Sequence, residues 1–118
     1  MTQHVTIYHN PRCSKSRETL TLLQQHDIKP DIVLYLDTPP DASTLTRLLK
    51  QLGMKSARDL MRKKEEIYQQ LNLANTSLTE SELIQAMVDN PKLIERPIVV
   101  AGQQARLGRP PEQVLEIL

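Results

Sequence analysis

The sequence is expected to fold as an α/β protein, a small mixed β-sheet with flanking helices and a helical insertion in its middle third. Three observations lead there. A β-branched N-terminal segment, a helical stretch and an apolar run follow one another at βαβ spacing. Amphipathic helical patterns alone occupy the centre of the chain, and two short strands with a closing helix end it. With 118 residues the chain can bury one core, so it reads as a single domain over 1–118, with the insertion at about 41–91.

Taken in order, His4-Val5-Thr6-Ile7-Tyr8 has the composition and rough alternation of a strand, and His9-Asn10-Pro11-Arg12 that of a turn. A helix should run from about Ser14 to Gln25, capped by Ser14 or Ser16, with Leu20 and Leu23 inward. Pro30 closes the connection to Asp31-Ile32-Val33-Leu34-Tyr35-Leu36, a run expected of a strand covered on both faces. Strand, helix and strand then make a parallel pair with a right-handed crossover.

Asp41 can cap a helix whose Leu45, Leu48, Leu49 and Leu52 form one stripe and which Gly53 closes. Two short helices fit between Ser56 and Leu73, leaving Arg58, Arg62, Lys63 and Lys64 exposed or facing a cleft. Thr79-Glu80-Ser81-Glu82 is a capping box, followed by a core face of Leu83, Ile84, Met87 and Val88 and a stop at Pro91. Pro97 to Ala101 and Ala105 to Leu107 should pair across a Gly102-Gln103 turn. Glu112 to Leu118 should close the fold with Val114, Leu115 and Leu118 inward.

The charge balance narrows the function. Fifteen Lys and Arg face fourteen Asp and Glu, a net charge of +1, so no global basic field argues for nucleic acid or a membrane surface. One cysteine rules out an internal disulfide and a cysteine-rich zinc site, and points to a reducing compartment. No signal sequence is legible, and no stretch approaches the roughly 20 apolar residues of a membrane span. With three Tyr and neither Trp nor Phe, the core must be aliphatic. A cytoplasmic monomer is expected.

That single cysteine, Cys13, falls at the start of the first helix, where free backbone N–H groups and the helix dipole favour an anion. A lone cysteine is more often a small buried hydrophobe. Here Arg12, Lys15 and Arg17 surround it, the setting that lowers a thiol pKa and makes the sulfur nucleophilic.

Five segments carry a resemblance that covers nearly the whole chain. They are Tyr8-His9-Asn10-Pro11-Arg12-Cys13-Ser14-Lys15-Ser16-Arg17, Leu34-Tyr35-Leu36-Asp37-Thr38-Pro39-Pro40, Leu60-Met61-Arg62-Lys63-Lys64, Ile94-Glu95-Arg96-Pro97-Ile98-Val99-Val100 and Arg106-Leu107-Gly108-Arg109-Pro110. Together they resemble the glutaredoxin-dependent arsenate reductase family, which has a thioredoxin-like fold. The resemblance implies Cys13 as nucleophile and Arg62, Arg96 and Arg109 as the arginines that bind the oxyanion. It also implies a cis Arg96–Pro97 bond facing the cysteine. Guanidinium forks suit a tetrahedral oxyanion, although each arginine taken alone is more often a solvated surface charge. Arg106, three residues from Arg109, could enter the pocket instead. His9 and Ser16 are candidate supports for the thiolate, and His9 is equally well read as a turn histidine.

The mechanism implied is attack of the Cys13 thiolate on arsenate, loss of an oxygen as water, and a covalent cysteine–arsenic adduct. Ser16 stands where a Cys-x-x-Cys motif would have its second thiol, so glutathione must serve as co-substrate and a glutaredoxin must supply the electrons that release arsenite. No metal and no tightly bound cofactor are implied. Two alternatives stay open: a glutathione-dependent thiol oxidoreductase of another substrate, and a non-catalytic regulator of the same fold that binds RNA polymerase. Ser16 and the retained arginines weigh against the second.

Overall fold

The computed structural model describes residues 4–118, and its order of elements is that of a mixed α/β protein. The chain divides into two compact units, one running to Thr38 and resuming at Arg96, the other spanning Pro39–Glu95.

The first unit holds the sheet, ordered β2-β1-β3-β4. Strand β1 (Val5–His9) runs parallel to β2 (Asp31–Leu34), with Ile7 opposite Ile32, and antiparallel to β3 (Ile98–Ala101), with Ile7 opposite Val99. Strand β4 (Gln104–Leu107) pairs antiparallel with β3 across the expected Gly102-Gln103 turn. Helix α1 (Ser14–Gln25) joins the parallel pair and has the bounds its sequence pattern predicts. Val5, Ile7, Leu23, Val99, Ala101, Val114 and Ile117 form the core, with Leu20, Leu22 and Ile28 packed against it. It is aliphatic, as the scarcity of aromatic residues requires.

Four local expectations need correction. His9 is the last residue of β1, buried and paired with Leu34, rather than part of the turn. The N-cap of α1 is Cys13 itself; neither Ser14 nor Ser16 fills that position. Strand β2 is an edge strand that ends at Leu34, where the Leu34 carbonyl accepts from the Asp37 and Thr38 amides at 2.9 Å. Ile32, Leu34 and Leu36 are 48%, 39% and 40% exposed, so the apolar run is not covered on both faces. The closing segment, Pro111–Ile117, is a 3-10 helix, and its three-residue repeat turns Pro111, Val114 and Ile117 inward while Leu118 stays exposed.

The second unit is helical. Asp41 caps α2 (Ala42–Leu52) by accepting the Thr44 amide at 2.8 Å, and Gly53 ends it in the left-handed region at φ 74°. A 3-10 turn at Ala57–Leu60 and the short α3 (Glu66–Gln70) fill the stretch expected to hold two short helices. Helix α4 (Glu80–Asp89) begins with the Thr79/Glu82 capping box and buries Leu83, Ile84 and Met87; a further 3-10 turn, Pro91–Leu93, follows it. Arg58 is a structural tie, donating to the Leu73 carbonyl at 2.9 Å and the Asn75 carbonyl at 2.5 Å. No described helix is long and apolar enough to cross a membrane.

Candidate active site

Cys13 stands where β1 gives way to α1. Its amide donates to the Asn10 carbonyl at 3.0 Å, and the Asn10 side chain accepts the Arg12 amide at 3.0 Å, so a tight turn fixes the loop. Cys13 has extended backbone angles (φ −95°, ψ 123°), and its side chain caps no helix amide. With no acidic residue in the first turn of α1, nothing there competes with a thiolate for the helix N-terminus.

Partial burial pushes the Cys13 thiol up, but the opposing influences outweigh it. The Ser16 amide, the Arg96 guanidinium and the Lys15 amide all favour the thiolate, and the thiol is held below its ordinary value. Two of the three neighbouring cations are engaged elsewhere: Arg17 Nη1 donates to the Pro11 carbonyl at 2.8 Å, and the Lys15 ammonium lies 3.6 Å from Glu18. Two backbone amides and an arginine from the far end of the chain therefore do what the local charge cluster is expected to do.

Ser16 is fully buried; its hydroxyl oxygen accepts the Asn10 amide at 3.0 Å and lies 2.6 Å from His9 Nδ1. Burial, reinforced by the Arg17 charge, holds His9 below the usual imidazole value. A neutral ring with Nδ1 unprotonated can accept a hydrogen bond from the Ser16 hydroxyl, which leaves the serine oxygen to accept from Asn10. His9 and Ser16 thus join the end of β1 to the turn of α1 whose amide faces the sulfur.

The Arg96–Pro97 peptide is cis, and so is Arg109–Pro110, which the sequence reading did not anticipate. Arg109 Nε donates to the Arg96 carbonyl at 2.8 Å, and Arg109 Nη2 lies 3.6 Å from Cys13 Sγ. Two guanidinium groups therefore bear on one sulfur. Arg96 Nε is buried with no hydrogen-bond partner, a donor costly to leave unmet unless an acceptor is bound there. Arg106 is committed elsewhere, to Glu116 at 2.9 Å and the Ala105 carbonyl at 2.8 Å.

Arg62 belongs to the helical unit. Its backbone is fixed by the Met61–Ile94 bridge and by its amide's bond to the Leu93 carbonyl at 2.7 Å. Its half-buried guanidinium pairs with Glu65, and its Nε lies 3.8 Å from Glu95.

Thr19 and Gly108 are residues the sequence reading passed over. Both are buried beside the Cys13 loop: the Thr19 hydroxyl donates to the Lys15 carbonyl at 2.8 Å, and the Gly108 amide donates to the Pro97 carbonyl at 3.0 Å. The available signal was a threonine on the inward side of α1 and a glycine between Arg106-Leu107 and Arg109. Among the described residues, no group of three or more His, Cys, Asp or Glu could hold a metal ion.

The ArsC family model matches residues 8–117. The Escherichia coli (strain K12) protein named "Uncharacterized protein YfgD" is 70% identical over 118 residues, covering all of this chain and 99% of its own. An arsenate reductase of Haemophilus influenzae is 52% identical over 114 residues, 97% of this chain and 98% of the relative. Among solved structures, an arsenate reductase from Vibrio cholerae superposes with a TM-score of 0.98 at 56% identity, each chain covered in full. Fold, thiol loop and near-complete coverage agree, and the chain belongs to the ArsC family.

Proposed function

We propose that this chain is an arsenate reductase with Cys13 as its nucleophile, acting as one domain. The observation that carries the reading is the pairing of a lowered thiol with Arg96 and Arg109, the latter 3.6 Å from the sulfur. A thiolate at a helix N-terminus flanked by two guanidinium groups suits a tetrahedral oxyanion, which needs bidentate donors around it and a nucleophile in line. Arg62 is the third cation assigned to the oxyanion, on the motif match alone.

The Cys13 thiolate attacks arsenic, an arsenate oxygen leaves as water after protonation, and a sulfur–arsenic bond forms. Arg96 and Arg109 neutralise the charge on the remaining oxygens through that step. His9, Ser16 and Pro97 act behind them by fixing the loop and the strand end. The chain contains no second thiol, and Ser16 occupies the position one turn on. Glutathione therefore attacks arsenic in the adduct as co-substrate and displaces a second oxygen as water. A glutaredoxin thiolate then attacks the glutathione sulfur, leaving the electron pair of that sulfur–arsenic bond on arsenic, and water cleaves the Cys13–arsenic bond to release arsenite and the thiol.

The test is arsenate-dependent NADPH oxidation with glutathione, glutaredoxin and glutathione reductase. Oxidation that requires arsenate and disappears in Cys13→Ser is the expected result. If Cys13 forms a mixed disulfide with glutathione while arsenate has no effect, the oxidoreductase of another substrate becomes the correct reading.

A further inference from the structure

Arg109 approaches the thiol from a loop, and a loop holds a side chain only as well as its own backbone is held. The residue before it has no room to spare. A Cβ on Gly108 would lie 2.3 Å from Thr19 Oγ1, 2.7 Å from Pro97 Cγ and 3.0 Å from Thr19 Cγ2. Glycine is needed there for space, since its backbone is outside the left-handed region.

Neither neighbour can yield easily. Thr19 is β-branched, fully buried on α1, and fixed by its hydroxyl's bond to the Lys15 carbonyl at 2.8 Å. Pro97 is a rigid ring whose carbonyl accepts the Gly108 amide at 3.0 Å. The Gly108 carbonyl stands 3.5 Å from the same Thr19 hydroxyl; the single proton serves the shorter bond to Lys15, so this contact is mainly packing. Lys15 in turn supplies one of the amides that favour the Cys13 thiolate. One buried threonine thus touches both sides of the site, the helix turn that faces the sulfur and the loop that carries Arg109.

We propose that Thr19 and Gly108 are positioning residues, whose contact sets the distance of the Arg109 loop from α1 and so holds the Arg109 guanidinium against the Cys13 sulfur. The proposal rests on the reading of Arg109 as an anion-binding group at a nucleophilic Cys13. A methyl group at position 108 would force the loop away by on the order of 1 Å to restore normal van der Waals spacing. A displacement of that size at a reacting centre can cost about a hundredfold in rate.

The test uses the ratio of Cys13 alkylation rates with iodoacetate and iodoacetamide. The thiolate fraction is common to both reagents, so the ratio reports the positive charge beside the sulfur and needs no arsenate. Arg109→Ala should lower it about fivefold, the effect of one unit charge about 4 Å away in water. Gly108→Ala should lower it by about 1.4-fold, because moving that charge from about 4 to about 5 Å weakens its pull by about a fifth, and the Gly108→Ala/Arg109→Ala double variant should fall no further than Arg109→Ala alone. Thr19→Ala should lower the ratio by no more than Gly108→Ala does, yet raise it when added to Gly108→Ala, because it removes two of the three crowding atoms. Should Gly108→Ala fail to fold, Thr19→Ala alone and the Thr19→Ala/Gly108→Ala pair carry the comparison.

A wild-type ratio in folded Gly108→Ala, an additive fall in the Arg109 double variant, or no recovery on adding Thr19→Ala would each overturn the proposal. The substrate reading stands apart: a cationic bias at Cys13 that Gly108→Ala weakens, in a protein that reduces no arsenate, keeps the positioning pair and refutes the reductase.

Discussion

Ser16 Oγ lies 2.6 Å from His9 Nδ1 while accepting the Asn10 amide at 3.0 Å, so one buried hydroxyl ties the end of β1 to the turn that faces the Cys13 sulfur. Ser16→Ala removes both partners at once and leaves a buried amide unmet, which costs about 1–3 kcal/mol. We expect a melting temperature lower by roughly 4 °C or more. The Cys13 thiol should also rise toward its ordinary value as the Ser16 amide loses its fixed direction. Alkylation rates against pH, read beside thermal melts, check both effects. Unchanged values in both measurements would show that the His9–Ser16 contact has no supporting role.

The lowered Cys13 pKa fixes the direction of a pH dependence. The thiolate is favoured in the folded chain, so between the folded and the unfolded pKa the unfolded state binds more protons. The stabilisation is fully present above the unfolded thiol pKa and is lost as pH falls through the folded one. Reduction should fall away over the same acid limb, following the thiolate. Thiolate absorbance and the pH profile of iodoacetamide alkylation should share one midpoint, below the free-thiol range. A midpoint at or above that range would remove the claim of an activated nucleophile. Cys13→Ser should abolish reduction without unfolding the chain, because the residue lies in a turn outside the core.

Arg96→Lys should not behave as a conservative change. Lysine keeps the charge but loses the planar fork that can hold the sulfur and an oxyanion together. Activity should fall more than tenfold, beyond what about 1.4 kcal/mol represents, with the melting temperature nearly unchanged. The Cys13 thiol should rise in the same variant, since the Arg96 side chain supports the thiolate through both a hydrogen bond and its charge. Wild-type turnover in Arg96→Lys would reduce Arg96 to a structural charge beside Pro97.

Arg106 and Arg109 are three residues apart and have different tasks. Arg106 pairs with Glu116, whereas Arg109 reaches Cys13 Sγ at 3.6 Å. Arg106→Ala should leave the arsenate KM within about twofold and cost at most about 1 kcal/mol of stability, the ordinary range for a surface ion pair. Arg109→Ala should raise that KM about tenfold or more. The reverse ranking would place Arg106 in the pocket.

These two arginines also show what the sequence could and could not reveal. The helix of Ser14–Gln25, the Asp41 and Thr79 caps and the β3–β4 hairpin were legible because local spacing determines them. The exposure of Ile32, Leu34 and Leu36 was not, because an apolar run has the same composition at the edge of a sheet as at its centre. Cys13 was legible from its place before a helix. Its electrostatic partners were only half so: the nearby Lys15 and Arg17 side chains are drawn to Glu18 and Pro11, while Arg96 comes from the segment before β3. Gly108 shows the remaining limit. Its requirement comes from Thr19 and Pro97, contacts that exist only once the strands have brought distant segments together.

The source of electrons is the last prediction. Cys13 is the sole cysteine, so turnover cannot pass through a disulfide within the chain. The residue one helical turn on, Ser16, is a buried hydroxyl already bonded to Asn10 and set against His9, so it offers neither a thiol nor a free group in its place. A thioredoxin that attacks a protein disulfide has no such bond to attack. Arsenate reduction should therefore proceed with glutathione plus glutaredoxin and stay near background with thioredoxin and its reductase. A single-turnover experiment with isotopically labelled glutathione should place one glutathione on the Cys13–arsenic adduct before glutaredoxin is added. Full turnover with thioredoxin and no glutathione would show the resolving step to be wrong while leaving Cys13 as the nucleophile.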